Sequence, residues 1–284
     1  MRLSTKLRCF ILILVILTSL SIALVGYLGN YFVISDFQSE TLKKRSALMA
    51  SGLEVSHPKL QPAREQVEDI FEQMLHAKPN YSQIRYINHA GNGLETVRVD
   101  RREGQITRVG IEDLQAKANR DYYLEASQLP ADGIYYSAIN LNREKGVVEF
   151  PYRPVVRVAM PIYGHSGNVQ GIVIINLNFN SFIQNVLRVG LDRSRYDYYL
   201  LNDAGYFLFH PDSTYTFGFD TGIDLRAEHE FVELEGFIDS SEHSLTFRLD
   251  SLPHAASHLA HFTKFKVFEH PKRELIFGIV GSDD

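Results

Sequence analysis

Residues 9–35 carry no charged side chain, and 10–28 are almost entirely apolar. About 20 such residues, at roughly 1.5 Å of rise each, cross the hydrocarbon core of a bilayer. Arg2, Lys6 and Arg8 precede the run and favour a cytoplasmic N-terminus. A cleaved signal peptide has an apolar core of about 7–15 residues followed by a small-x-small site. This run is longer, and Val25-Gly26-Tyr27 offers no such site. The pattern predicts a cytoplasmic stretch at 1–8, an uncleaved membrane helix at 9–33 and a stalk helix at 34–61, with the remainder outside the cytoplasm.

Beyond the stalk the apolar spacing turns helical, then alternates. Val67, Ile70, Phe71, Met74 and Leu75 share one helical face after Pro62, and Pro79-Asn80 ends the helix. Short strands are predicted at 84–88 and 94–99 around a Gly/Asn turn, and at 105–109. A helix is read over 114–129, closed by Pro130 and Gly133, and then strands at 134–138 and 147–150. Residues 155–160 and 171–177 are β-branched runs joined by a turn with two glycines and an asparagine. Residues 172–175 are apolar on both faces, which points to a central strand covered on both sides. Helical spacing returns over 179–189 through Phe182, Ile183, Val186 and Leu187. A shorter unit follows: strands at 196–201 and 206–210 around Asn202-Asp203-Ala204-Gly205, a helical piece at 231–238, and strands at 245–249, 262–268 and 275–280. The strand–turn–strand order of the first unit recurs in the second, a repeat of type rather than of sequence. The expected fold is α+β: a membrane helix and stalk, then two units with antiparallel sheets, at 62–190 and 191–284.

Composition narrows the function classes. At 284 residues, 45% hydrophobic and 22% charged, the chain fits one or two ordinary globular domains, and a net charge of −5 gives no reason to expect nucleic acid. Cys9, the sole cysteine, lies in the apolar run, so no intramolecular disulfide forms and the compartment stays open on that count. Gly-x-Ser-x-Gly, P-loop and His-Glu-x-x-His motifs are absent, so no catalytic residue and no cofactor is expected. His254, His258 and His261 would share a face on a helix and could hold zinc there. Pro253 and the small residues Ala255, Ala256 and Ser257 favour a loop instead, so no metal site is assigned.

Three strings carry a resemblance: Leu141-Asn142-Arg143-Glu144, Pro151-Tyr152-Arg153-Pro154, and Gly167 followed by Gly171-Ile172-Val173. In this order, behind a membrane helix, they resemble the extracytoplasmic double Cache (PDC, PAS-like) sensor domain of bacterial histidine kinases, chemoreceptors and diguanylate cyclases. The likeness runs from about Val67 to the C-terminus. It implies a membrane receptor, a homodimer, whose membrane-distal unit binds a small molecule and whose membrane-proximal unit transmits the change. In that family the last strand leads to a second membrane helix and a cytoplasmic output module. Neither occurs here, so the sequence reads as a sensor region of a longer protein or a truncated product. His210-Pro211-Asp212 resembles the loop after the first hairpin of a proximal unit, a turn rather than a metal site.

The resemblance also supplies a site. Arg120, Tyr122 and Tyr123 match an Arg-x-aromatic-aromatic motif that grips the carboxylate of an amino acid in some members. A guanidinium fork suits a carboxylate, and aromatics wall a small ligand. Where those members hold the ligand ammonium on an aspartate, this chain has Asn176, so a carboxylate without an amine, or another small polar molecule, fits better. Arg157 is a candidate second anion clamp, and Tyr135 and Tyr136 alternate faces so that one can line the pocket. The plainer reading packs Tyr122 and Tyr123 on the sheet, turns Arg120 to solvent and pairs Arg157 with Glu144 or Glu149. Two other functions stay open: a sensor or scaffold that binds a protein, and a metal-dependent periplasmic hydrolase using the histidines.

Overall fold

The computed structural model describes residues 56–90, 92–164, 166–188, 195–249, 258–269 and 272–282. The expected membrane helix, and the stalk as far as residue 55, lie outside the described residues, and among those described no helix is long and apolar enough to cross a membrane. Residues 56–60 form turns instead of the last part of the expected stalk helix. Pro58 and Pro62 explain the break, since each lacks the amide that a continuous helix needs.

Helix α1 (Gln61–Ala77) starts with Pro62 in its first turn, where a missing N–H does no harm, and stops at Lys78, which is extended ahead of Pro79. Its buried stripe includes Ala63, Val67, Phe71 and Leu75. Seven strands follow in one antiparallel sheet: β1 (Tyr81–Asn88), β2 (Leu94–Arg102), β3 (Gln105–Arg108), β4 (Tyr135–Tyr136), β5 (Asn140–Leu141), β8 (Pro154–Tyr163) and β9 (Val169–Asn178). The order is β3-β2-β1-β9-β8-β4, with β5 also pairing β8. Between β5 and β8, β6 (Arg143–Glu144) and β7 (Val147–Val148) make a small separate hairpin. Strand β9 is central, and both faces of its apolar run are buried.

Register divides the sheet into two unlike faces. Ile84, Tyr86, Val97, Val99, Val158, Met160, Val173 and Ile175 share one face. Helix α1 lies over this side: Arg101 reaches the Leu75 carbonyl and Arg108 reaches Asp69 and Glu72. The other face is half apolar and half charged, and a short helix, α2 (Asp121–Ala126), covers it.

Here the structure departs from the sequence reading. Instead of one helix over 114–129 there is a 3-10 turn at Ile111–Asp113, an extended stretch, and the six residues of α2. The extended stretch pairs with the β1–β2 hairpin: Glu95 N donates to the Gln115 carbonyl (3.0 Å) and Lys117 N to that of Gly93 (2.7 Å). Leu114, Ala116 and Ala118 alternate with polar residues, a period of two that is available to a strand. Strands expected at 134–138 and 147–150 shrink to pairs, and the strand pairs at 140–141 and 143–144 were not foreseen.

After helix α3 (Phe179–Arg188), a second antiparallel sheet runs β11 (Phe207–Phe209), β10 (Tyr196–Asn202), β14 (Lys272–Ser282), β13 (His258–Glu269), β12 (Ser244–Leu249). Tyr199, Phe207, Phe231, Phe237 and Phe262 dominate its core. The helix read over 231–238 is only a 3-10 turn, Val232–Leu234, because Gly236 turns the backbone to φ +80°. The short helix α4 (Gly218–Thr221) lies between β11 and β12 in sequence.

Candidate ligand-binding site

The α2 face of the first sheet is built by strand parity. Strand β1 presents Gln83, Arg85 and Ile87; β9 presents Asn176, Ile174 and Ile172; β8 presents Arg157 and Ala159, with Tyr135 beside Ala159. Toward one end the face is apolar: Ile87, Ala159, Ile172 and Ile174 form a floor under Tyr122, Tyr123, Ala126 and Tyr135. Toward the other it is a buried polar network.

Arg85 is central to that network. It donates to Glu95 (3.2 Å), to Asn176 Oδ1 (3.0 Å) and to the Tyr122 phenol (3.3 Å). Burial pulls its pKa down, but Tyr122 and Glu95 beside it more than offset that and leave it above the ordinary arginine value. Its Nε is buried without an acceptor. Arg98 is gripped by Asp100 (2.7 Å) and Glu144 (2.8 Å). Burial opposes ionisation of Glu144, yet Arg98 and Gln115 outweigh it and hold its carboxyl at about 2. Lys117 is pulled down to about 8 by burial, against the attraction of Glu95 3.9 Å away.

Arg157 differs from these. Its side chain is buried, and its acceptors are the neutral oxygens of Asn140 and Asn142, the latter at 3.2 Å. Burial, with Arg85 nearby, lowers its pKa to about 10, so at neutral pH it remains a cation. The pairing with Glu144 or Glu149 in the plainer reading is not found: Glu144 serves Arg98, and Glu149 accepts from Asn142 and lies near Arg102 and Arg153.

The other expected site residues lie as follows. Arg120 is the N-cap residue of α2, with extended backbone, rather than a mid-helix residue; it is half-buried, and its charge acts on Arg157. The Tyr122 ring faces Arg85 (5.4 Å from guanidinium carbon to ring centre) and Arg157 (5.8 Å). The Tyr123 hydroxyl is 3.0 Å from His89 Nδ1. Tyr135 lies in the apolar cluster under α2; burial raises its pKa, and the Arg273 charge of β14 acts against that rise. Tyr136, pushed up to about 12 by burial, pairs with Val158 and faces the other side of the sheet. Asn176 accepts from Arg85 and donates to Gln83 (3.1 Å) and Asn142 (3.3 Å). Its carbonyl is therefore turned to a guanidinium.

Two of the clefts among the described residues lie near these groups. One of about 20 Å³, room for about one water, borders Asn176, Asn142, Gln83 and Asp100. One of about 260 Å³ lies beside α1 between Arg64, Glu68, Arg108 and Ile111. Neither of these two is lined by Arg120, Tyr122 or Tyr123.

Sequence reasoning missed Arg85, Glu95, Arg98, Asp100 and Lys117. Charged residues on alternate strand positions read as a solvated face. The available signal was parity: Arg85 shares its face with Ile87, and Asn176 with Ile172 and Ile174.

The family description of the bacterial histidine kinase sensor domain matches residues 40–235. The chain belongs to that family. Sensor domains of this kind also supply its structural relatives. A domain of a sensory box/GGDEF family protein from Vibrio parahaemolyticus superposes with a TM-score of 0.72 at 18% identity, over 94% of this chain and 93% of that one. The extracellular domain of the histidine kinase vpHK1S-Z8 gives 0.71 at 18%, over 95% and 88%. The ligand-binding domain of the Campylobacter jejuni chemoreceptor Tlp3, in complex with L-norvaline, gives 0.53 at 14%, over 94% and 89%. These likenesses support the Cache-type α+β fold. No curated protein matches the sequence. In this sensor domain the histidines do not form the helical face considered for zinc. His258 and His261 lie on β13 three residues apart, hence on opposite faces of the sheet, and His254 lies outside the described residues. His210 sits in the expected turn, 2.9 Å from Glu230 and stacked on Tyr215.

Proposed function

We propose that this chain is the extracytoplasmic ligand-binding region of a membrane signal-transduction receptor. Its distal unit, 62–190, takes a small carboxylate or other small polar molecule on the α2 face. Its proximal unit, 191–284, passes the change to a cytoplasmic output module, and the receptor acts as a homodimer anchored by the helix at 9–33. Arg120, Arg157, Tyr122, Tyr123, Tyr135 and Asn176 contact the ligand, with Tyr136 supporting from the opposite face of its strand.

The observation that carries this reading is Arg157, a buried guanidinium satisfied only by neutral amide oxygens. Leaving a buried charge unpaired is costly, and an anion offsets that cost. The Tlp3 domain holds L-norvaline. In this chain Asn176 turns its carbonyl to Arg85, so an ammonium placed there would meet a guanidinium. That favours a ligand without an amine.

Thermal-shift titration of the full chain with small carboxylates and amino acids tests the reading. A carboxylate at about 100 times its Kd stabilises the fold by about 2.7 kcal/mol. For the carboxylate that binds most tightly, Arg120→Ala removes that shift without unfolding the domain, because Arg120 forms no ion pair among the described residues. A panel in which no carboxylate stabilises the chain, or an unchanged affinity in Arg120→Ala, overturns it. One observation favours a second reading, recognition of a protein: Phe150 is 83% and Val147 70% exposed at the tip after β7, beside half-exposed Tyr152. Loss of partner binding in Phe150→Ser would support it, and retained partner binding would exclude this tip as the surface.

A further inference from the structure

The cleft of about 260 Å³ is walled by α1, which covers the side of the first sheet opposite α2. It is therefore separate from the α2 face. Two of its lining side chains, Arg64 and Glu68, stand one turn apart on α1 and form an ion pair at 3.2 Å. They are only 9% and 10% exposed, so the pair has lost most of its water. Arg64 donates from Nε to the Thr96 carbonyl (3.0 Å) and from Nη2 to Glu68 Oε1. Glu68 Oε2 accepts no hydrogen bond among the described residues; Arg108 Nη1 stands 3.8 Å from it. A buried carboxylate thus presents one open oxygen at a space large enough for a small molecule.

The charges around that oxygen do not balance. Arg108, on the opposite wall, is already held by Asp69 (2.6 Å) and Glu72. Glu65 also lines the cleft, and the Glu112 carboxylate lies against Gly110 on its rim. Glu65, Glu68, Asp69, Glu72 and Glu112 therefore face only two guanidiniums, Arg64 and Arg108. Burial raises the pKa of Glu68, and the two arginines offset only part of that rise. A further positive charge beside Oε2 would favour the ionised carboxylate.

We propose that this cleft is a second binding site, for a small primary alkylammonium whose N–H donates to Glu68 Oε2 and whose carbon chain lies on Val109 and Ile111. The walls narrow the class to this one. An anion would meet an excess of carboxylates. A guanidinium pairs best with both oxygens of a carboxylate, and Arg64 already holds Oε1. A quaternary ammonium has no N–H to donate and is held by aromatic cages, but no aromatic side chain lines the cleft. A divalent metal ion takes several oxygens at once. Here Glu65 accepts from Gln61 (2.9 Å), and Asp69 and Glu72 hold Arg108, which leaves Oε2 as the open anchor. Ile111, 38% exposed, supplies the apolar wall for the chain.

Isothermal titration of the full chain in detergent micelles, at neutral pH and fixed ionic strength, tests this with n-butylammonium, butyltrimethylammonium, butylguanidinium and magnesium. Butylammonium is expected to bind at least about tenfold more tightly than each of the other three. Glu68→Gln should weaken it at least about tenfold, with circular dichroism melting to confirm that the variant folds. A second readout needs no substitution: butylammonium should slow hydrogen exchange of the wild type in residues 108–113 and leave residues 120–126 unchanged. Butyltrimethylammonium, butylguanidinium or magnesium binding as tightly as butylammonium overturns the proposal. So do an unchanged affinity in folded Glu68→Gln, protection at 120–126 in place of 108–113, and no binding of butylammonium at all. The carboxylate reading of the α2 face is independent of these outcomes, since it stands or falls with the titration of Arg120→Ala.

Discussion

Arg157 and Arg98 stand on the same face with β1 and β9 between them, and have opposite energetics. Arg98 is held by two carboxylates, so its burial is compensated, whereas Arg157 has amide oxygens alone. A fold seldom retains an uncompensated buried charge for stability, because an apolar residue of similar volume usually serves better. Glu144 shows the cost of maintaining the paired part of the network. Its folded pKa of about 2 lies below the ordinary 4.5, so its stabilising effect is complete above the unfolded value. That effect is lost as pH falls from about 4.5 toward about 2. For a side chain that is partly exposed, the loss is on the order of 2 kcal/mol after allowance for solvent screening. Urea unfolding of the wild type between pH 5 and 2.5 should show this decline, and Glu144→Gln should flatten it. Parallel slopes for the two proteins would remove Glu144 from the network.

Elements were legible where one period governed a long segment. The apolar stripe of α1 and the β8–β9 pair with its Gly/Asn turn could be read with near-correct bounds, because burial on a single face leaves one periodic signature. The stretch at 114–120 could not. Its period-two pattern was weak, and its partner is the β1–β2 hairpin, roughly twenty residues earlier in sequence, so no local pattern reveals the pairing. The candidate face was legible in part: Tyr122, Arg157 and Asn176, named from resemblance and parity, lie together on it, while Arg85 and Glu95 emerge only once β1, β2 and β9 are in register. The hairpin turn that receives this stretch depends on Gly93. Its φ is +71°, and a Cβ there would lie 2.6 Å from the Ala118 backbone. Gly93→Ala should therefore cost more than about 1 kcal/mol, above the strain of the left-handed backbone alone. It should also raise hydrogen exchange at Glu95 and Lys117, whose amides bond across this contact. Unchanged exchange at those two amides would mean that the stretch is held elsewhere.

At the scale of the molecule, two polar links join the α2 face to the second unit. The first runs through a strip in which alternate residues face opposite ways. Asn140 and Asn142 accept from Arg157, while between and beyond them the Leu141 amide (2.7 Å) and the Arg143 guanidinium (3.0 Å) hold Asp220 at the end of α4. The second is Tyr135, which packs under α2 and feels the charge of Arg273 at the start of β14. An anion on Arg157 competes with Asn140 and Asn142 and so acts on the residues that hold Asp220. A ligand against Tyr135 acts on Arg273 through the electrostatic interaction of the two side chains. Strand β14 lies between β10 and β13, so a displacement of its first residues is transmitted along a ladder rather than absorbed by a loop. Coupling of this kind is reciprocal: what the ligand does to β14, β14 does to ligand affinity. Succinate binding, or binding of whichever carboxylate proves tightest, should slow hydrogen exchange in residues 272–282 of the wild type. In the double variant Asp220→Ala, Arg273→Ala, the ligand should still bind, because neither residue touches it, but the change in β14 should disappear. Affinity should shift by no more than the coupling energy, typically about 1–3 kcal/mol. If β14 responds as strongly in the double variant as in the wild type, these two links do not carry the signal.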